Sequence, residues 1–174
     1  ARLLNKLGTA KLAQGEIEQA RALLEESLAL QQTLGDRRGI GFSLIQLGNA
    51  ARAGGDTELA ATHYRESLRL RWSLGHKEGV AACLAALAAN GGLQGQAALA
   101  ARFYGAAAAL RHAIGSAAPA FEQMSHERGI AATRAQLGED AFEQAWSVGW
   151  AADIDEVITE ILEPDAVSNL PRSF

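Results

Sequence analysis

Laid against itself at an offset of 40, the chain repeats: residues 1–40 and 41–80 carry the same residue at fifteen positions. The matches include Leu4/Leu44, Gly8/Gly48, Gly15/Gly55, Ala20/Ala60, Ser27/Ser67 and Gly35/Gly75, so large and small side chains alike keep their places. A third, weaker copy keeps Leu84, Leu87, Gly95, Ala100, Tyr104, Leu110 and Ile114-Gly115. A fixed period of this length is the mark of a solenoid. Each repeat is one supersecondary unit that buries its apolar face only against its neighbours.

Each period reads as two helices. In the second copy, helix A is predicted from about Arg38 to Ala53, with Leu44, Leu47 and Gly48 at helical spacing. Gly54-Gly55 ends it, and Asp56 N-caps the next helix with Glu58 in its first turn. Helix B is predicted to run to about Leu74, where Gly75 stops it. Glycine inside a helix costs about 1 kcal/mol against alanine, so the recurrence of Gly8 and Gly48 implies that backbone approaches backbone there. After residue 115 the rhythm breaks. Pro119 marks a helix start, with a helix expected to about Leu137. EDAFEQAWSVGW and DIDEVITEILEP read as two shorter helices, the second capped by Asp153 and ended before Pro164. Phe142, Trp146 and Trp150 recur at i, i+4 and i+8, a stripe suited to sealing the end of the array. The expected division is therefore three repeats over 1–40, 41–80 and 81–115, capping helices over 116–163, and a tail or linker over 164–174.

Composition agrees with helices packed through small side chains: 37 of the 174 residues are alanine, which carries no helix-propensity cost. The single Cys83 cannot form an internal disulfide, which fits a reducing, cytoplasmic compartment. The longest apolar run, Val80 to Ala89, is about half of what a membrane span needs. No charged n-region with an apolar h-region opens the chain, and a start at Ala rather than Met is what a fragment of something larger would show. The net charge of −4 is uneven, with nine acids and no Lys or Arg between Glu139 and Asp165. Residues 1–138 hold fifteen bases and eleven acids, a balance of +4, and neither part is basic enough for a nucleic-acid footprint.

Chemical motifs are weak. Gly35, Gly39 and Gly41 spell Gly-x-x-x-Gly-x-Gly, yet no Lys-Ser/Thr follows and no strand precedes, so a phosphate loop is excluded in favour of punctuation between helices. His63, His76, His112 and His126 lack metal spacing with one another or with Cys83, which reads as a small core residue.

The pattern Leu-x2-Leu-Gly, Gly-Asp/Glu, Ala-x3-Leu/Tyr-x2-Ser-Leu over residues 1–115 resembles the tetratricopeptide repeat. It departs from the usual period of 34, has Leu4, Leu44 and Leu84 where an aromatic is often found, and ends Leu-Gly-x-x-x-Gly without the closing proline. This longer form looks like the repeats of kinesin light chain and of bacterial multidomain regulators; HEAT-type repeats, with similar periods, are the alternative. The resemblance implies an all-α fold, a right-handed α-α superhelix of three helix hairpins plus a three-helix C-terminal cap. The closing segment, ALAARFYGAAAALRHAIG and then LGEDAFEQAW, resembles the end of helical sensor regions in bacterial signal-transduction ATPases, among them transcription activators of the LuxR and AfsR type.

In such domains the A helices line a concave face that holds extended peptides. The resemblance puts Arg2, Asn5, Lys6 and Thr9 of the first copy in that groove, with Phe42, Ile45, Gln46, Asn49 and Arg52 of the second. Amides can clamp a partner's backbone, Arg and Lys can meet its carboxylates, and Phe42 with Ile45 can take an apolar side chain. The third copy offers Ala82, Ala85, Ala86 and Ala89, either a smooth wall of the groove or a face packed against the next helices. The plainer reading of each polar position is a solvated face. On the B helices, Arg65, Arg69 and Arg71 read as outward and solvated, and Trp72 as either an interface anchor or an edge-packed ring. The function implied is a non-catalytic interaction or sensing module of a bacterial regulator. It would bind a protein or peptide partner, or a small effector, without cofactor, metal, direct nucleic-acid contact or membrane; a homodimer is compatible with it. A freestanding scaffold that assembles partners is the alternative. A hydrolase would need a perturbed cluster of acid, base and nucleophile, which the sequence does not offer.

Overall fold

Every twentieth residue from Gly15 to Gly115 is a glycine with positive φ, and each one ends a helix. At Gly35, φ is 65°, a left-handed conformation that L side chains rarely adopt. There the Asp36 N–H donates to the Gln31 carbonyl at 2.9 Å and the Gly35 N–H to the Gln32 carbonyl at 3.2 Å, which together make a Schellman turn. The same pair of bonds recurs at Gly15, Gly55, Gly75, Gly95 and Gly115. The next helix starts at once, because Asp36 and Asp56 accept from the N–H groups of Gly39 and Leu59, both at 2.9 Å. At these two junctions glycine then aspartate stops one helix and opens the next; Glu16, His76 and Gln96 follow Gly15, Gly75 and Gly95 without a side-chain cap.

The computed structural model describes residues 1–117 and 120–163, with the side chains of 120–122 left aside. Among the described residues it holds nine helices and no strand. Six form three hairpins: α1 (Arg2–Ala13) with α2 (Ile17–Leu34), α3 (Arg37–Ala53) with α4 (Thr57–Ser73), and α5 (Lys77–Leu93) with α6 (Ala97–Ala113). The hairpins stack in sequence, α2 on α3 and α4 on α5, into an all-α solenoid. Three more helices follow, α7 (Ala120–Leu137), α8 (Glu139–Ala151) and α9 (Ile154–Leu162). The expected helix start at Pro119 and the tail over 164–174 lie outside the described residues. No described helix is long and apolar enough to cross a membrane.

The helical glycines do not act quite as the sequence implied. A Cβ on Gly48 would overlap the Tyr64 ring, and one on Gly8 would lie 2.8 Å from Leu24 Cγ. What approaches helix A most closely is therefore a side chain of its own hairpin partner, at corresponding positions 24 and 64, although at Gly8 the Ala20 carbonyl oxygen also lies 3.2 Å from that Cβ; position 104 is Tyr104, with Ala88 in the place of the glycine. Backbone meets backbone elsewhere. A Cβ on Gly105 would overlap the Trp146 carbonyl, and one on Gly149 the Arg102 carbonyl. That double absence of side chains lets α8 pack along α6, more closely than it packs against α7.

One cluster of buried side chains runs from Ile45 and Tyr64 through Val80, Cys83 and Leu84 to Tyr104 and Leu110. Val157, Ile158 and Ile161 of α9 enter the same cluster, held by a helix that Asp153 caps through the N–H groups of Asp155 and Glu156. The aromatic stripe seals less than its spacing implied: Phe142 is buried, but Trp150 is 44% exposed. Trp72, partly buried, packs against the main cluster. A smaller cluster, Leu24 with Leu47 and Ala50, joins the first hairpin to the second.

Arg71 corrects the outward reading given to the B-helix arginines. Arg65 and Arg69 are exposed, whereas Arg71 is buried. Its Nη2 donates to the Gly41 carbonyl at 3.1 Å and its Nε to Ser67 Oγ at 3.0 Å. Space for it comes from Gly79, where a Cβ would sit 2.8 Å from Arg71 Cδ. Ser67 Oγ also donates to the Gly41 carbonyl at 2.7 Å, and Ser27 Oγ, forty residues earlier, does the same to Ala1 at 2.9 Å. The repeated serines are thus the polar ties between helices B and A of the first two hairpins; the third has Ala107 at that place.

Candidate functional site

The A helices face one cleft of about 310 Å³. α1 contributes Thr9, Leu12 and Ala13, and α3 contributes Ile45, Gln46, Asn49, Arg52 and Ala53. Ala82, Ala85, Ala86 and Ala89 make the wall from α5. Their spacing of three and four residues places each set on one helix face. Tyr104 and Arg111 of α6 reach the cleft from below the alanines, and Ser125 and His126 of α7 line it as well.

Five of the nine residues anticipated from sequence therefore meet here: Thr9, Ile45, Gln46, Asn49 and Arg52. Four do not line the cleft. Arg2 and Lys6 are exposed on α1, and Phe42 is exposed on α3. Asn5 is buried between α1 and α3, its Oδ1 2.8 Å from Ser43 Oγ, which also lies 2.7 Å from Gln31 Oε1. Asn5 thus belongs to the joint between the first two hairpins. Tyr104, Arg111, Ser125 and His126 were not anticipated, because they come from a B helix and from α7. The one available signal was that Tyr104 occupies the repeat position of Leu24 and Tyr64.

The polar groups fall into two linked sets. Tyr64 donates to Asn49 Oδ1 at 2.9 Å, and Asn49 Nδ2 donates to Gln46 Oε1 at 3.3 Å. Burial raises the Tyr64 pKa, opposed by the neighbouring Arg52 guanidinium, which hydrogen-bonds the same phenol. In the second set, Arg111 Nη1 lies 3.2 Å from His126 Nε2. Since a guanidinium only donates, this nitrogen accepts and the His126 proton sits on Nδ1. Burial and then the Arg111 charge hold the His126 pKa down to about 4. The His126 ring meets Tyr104 edge-on, with centroids 5.2 Å apart at 85°. Burial pushes the Tyr104 pKa up to about 12, and its hydroxyl has no hydrogen-bond partner.

Among the described residues, no three of the His, Cys, Asp and Glu side chains gather as a metal site. Cys83, on α5, is buried in the core, its Sγ 3.3 Å from Ser67 Oγ. The arrangement suits recognition: an apolar wall, amides held in place by a tyrosine, and two arginines among the lining side chains.

Residues 1–73 match the family model of the tetratricopeptide repeat, a span that ends with α4. Together with the stacked hairpins, the match supports a tetratricopeptide-repeat domain there. No curated protein and no solved structure matches the chain.

Proposed function

We propose that this chain is a non-catalytic interaction and ligand-sensing module of a cytoplasmic bacterial signalling or transcriptional regulator, and that it binds its partner in the concave cleft. Tetratricopeptide repeats commonly serve as protein-interaction scaffolds, and the matched span supplies two of the three hairpins that form the cleft. The observation that carries the reading is convergence. Thr9, Ile45, Gln46, Asn49 and Arg52, from two separate hairpins, face one cavity with the alanine wall of a third. The regulator context rests on the resemblance of the closing segment alone.

Selection of binders from a displayed peptide library tests the site, with Ala86→Phe as counter-screen. Ala86 is half-buried on the cleft wall, so a phenylalanine there fills the cavity while leaving the hairpin cores intact. Selected peptides should bind the unaltered protein and lose at least tenfold in affinity for Ala86→Phe. Equal binding to both would remove the cleft from the interaction. Asn49→Ala is a poorer choice because it also strips Tyr64 of its acceptor.

A further inference from the structure

We infer that the cleft is the deep end of a longer trough whose mouth, formed by Arg2 and Lys6 of α1 and Arg38 of α3, takes an acidic peptide segment. The inference rests on the groove reading above and names the chemistry of its partner.

Charge is sorted between the two kinds of helix. α1 carries Arg2, Lys6 and Lys11, and α3 carries Arg37, Arg38 and Arg52, with no Asp or Glu in either helix. Their hairpin partners hold the acids, Glu18, Glu25 and Glu26 on α2 and Glu58 and Glu66 on α4. The positive field therefore belongs to the helices that face the cleft. A concave surface with one sign of charge concentrates that field and draws in the opposite ion. Asp36 is turned to the start of α3 as its cap. α5 has Glu78 at the repeat position of Arg38, so the field ends with the second hairpin.

Placement along the helices is the second observation. Arg2, Lys6, Thr9 and Ala13 recur at i, i+4, i+7 and i+11, one stripe of α1. Arg38, Phe42, Ile45, Asn49 and Arg52 make the matching stripe of α3. The later members of both stripes line the cleft, and the earlier ones extend the same faces toward the helix N-termini. Arg2 precedes Thr9, and Arg38 precedes Ile45, by about 10 Å of helix, a distance that about three extended peptide residues cover.

Arg2, Lys6 and Arg38 are exposed, and none has an ion pair or side-chain hydrogen bond among the described residues. Cations elsewhere do reach carboxylates: Lys11 holds Glu16, Arg21 holds Glu18, Arg102 holds Glu160 and Arg134 holds Glu143. The rest of the surface suits a peptide better than a nucleic acid. Gln46 and Asn49 line the cleft with amides, and the alanines of α5 offer an apolar wall to an aliphatic side chain. Phe42 is the single aromatic of α1 and α3, too few for base stacking.

The test is selection of a displayed random-peptide library on the whole chain at low salt. Selected sequences are then assayed as acetylated, amidated peptides, so that only side-chain carboxylates are present. They should be enriched in Asp and Glu over the input library. Lys6→Glu with Arg38→Glu should weaken them about tenfold, chiefly through slower association, as changes of rim charge do. Raising the salt to about 0.5 M should weaken binding by a similar factor, because the charges are exposed. Arg65→Glu with Arg69→Glu makes the same change in net charge at exposed positions of a B helix and should leave affinity unchanged. Thermal stability should hold in both double variants. Neutral or basic peptides winning the selection, equal losses in the two double variants, or affinity unchanged in Lys6→Glu with Arg38→Glu would each overturn the proposal. So would oligothymidylate displacing the peptides more effectively than polyglutamate of equal charge. If neutral peptides are selected and still lose affinity for Ala86→Phe, the groove reading stands and only its acidic partner falls. If no selected peptide responds to Ala86→Phe, both fall.

Discussion

A methyl group on Gly149 has nowhere to go, because the obstacle is the main chain of α6 at Arg102. On Gly48 the obstacle is the Tyr64 ring, a side chain that can turn within the limits of its bond to Asn49. Alanine would add about 1 kcal/mol of helix propensity at either site, against an overpacking cost of about 1–3 kcal/mol. Both substitutions should therefore destabilise. Gly149→Ala should lose about 2 kcal/mol, the upper end of that difference, and Gly48→Ala about 1 kcal/mol, read from urea denaturation midpoints. Gly149→Ala proving the milder change would show that α8 does not rest on the backbone of α6. The recurrence of Gly48 announced in the sequence that something approaches there. Gly149 occurs once, in no repeat, and nothing local distinguishes it from a poor helix residue. Arg71 was misread for a related reason: its inward course depends on space left by Gly79 of the next helix.

Among the elements, the six hairpin helices were legible because their ends are written locally, by a glycine every twenty residues and, at two junctions, an aspartate after it. Docking of α7 to α9 was not, since none of the three repeats the 40-residue pattern and each finds its partner by long-range packing. α9 was readable as a capped helix, yet not as the element that drives three apolar side chains into the main cluster. The cleft was half legible for the same reason: α1 and α3 supply the anticipated residues, whereas α6 and α7 supply those missed. The hold of α7 on α6 has a titrating group at its centre. His126 has a folded pKa of about 4 against an ordinary 6.5, with Arg111 and Tyr104 facing it from α6 and Glu127 beside it. The unfolded chain therefore binds the extra proton between these values. The contribution is fully present above pH 6.5, is lost progressively as pH falls toward 4, and is constant below that. Between pH 7.5 and 5, the protein should lose more stability than His126→Gln does. The difference should be about 1 kcal/mol, since a half-exposed ring is partly screened by solvent. Parallel stability curves for the two proteins would mean that His126 is solvated and does not hold α7 in place.

In the whole molecule, stability should be unequal from end to end. In a solenoid each hairpin is stabilised mainly by its neighbours, and here the two ends are covered differently. The hairpins α3–α4 and α5–α6 share one large cluster that α9 completes from outside. The first hairpin meets the rest through Leu24, Leu47 and Ala50 and through the Ser43 hydrogen bonds, while Leu3, Leu7 and Leu34 stand exposed on it. Local opening free energies follow buried apolar contact. Amide hydrogen exchange should thus find the highest protection in α5 and α6 and the lowest in α1. Ile158→Ala sharpens the point. It removes a buried aliphatic side chain at a cost of about 2–5 kcal/mol, and α9 touches α4 and α6 but not α1. Protection in α5 and α6 should fall by that amount, because their exchange needs the opening of the shared cluster. α1 already opens by a cheaper route, so its exchange should stay as it was. Uniform protection along the chain, or an equal drop in α1 and α6, would make the molecule one cooperative unit. The first hairpin, with Thr9 and the N-terminal side of the cleft, would then be as firmly held as the alanine wall opposite. With unequal protection, a ligand spanning α1 and α5 would tighten the first hairpin most.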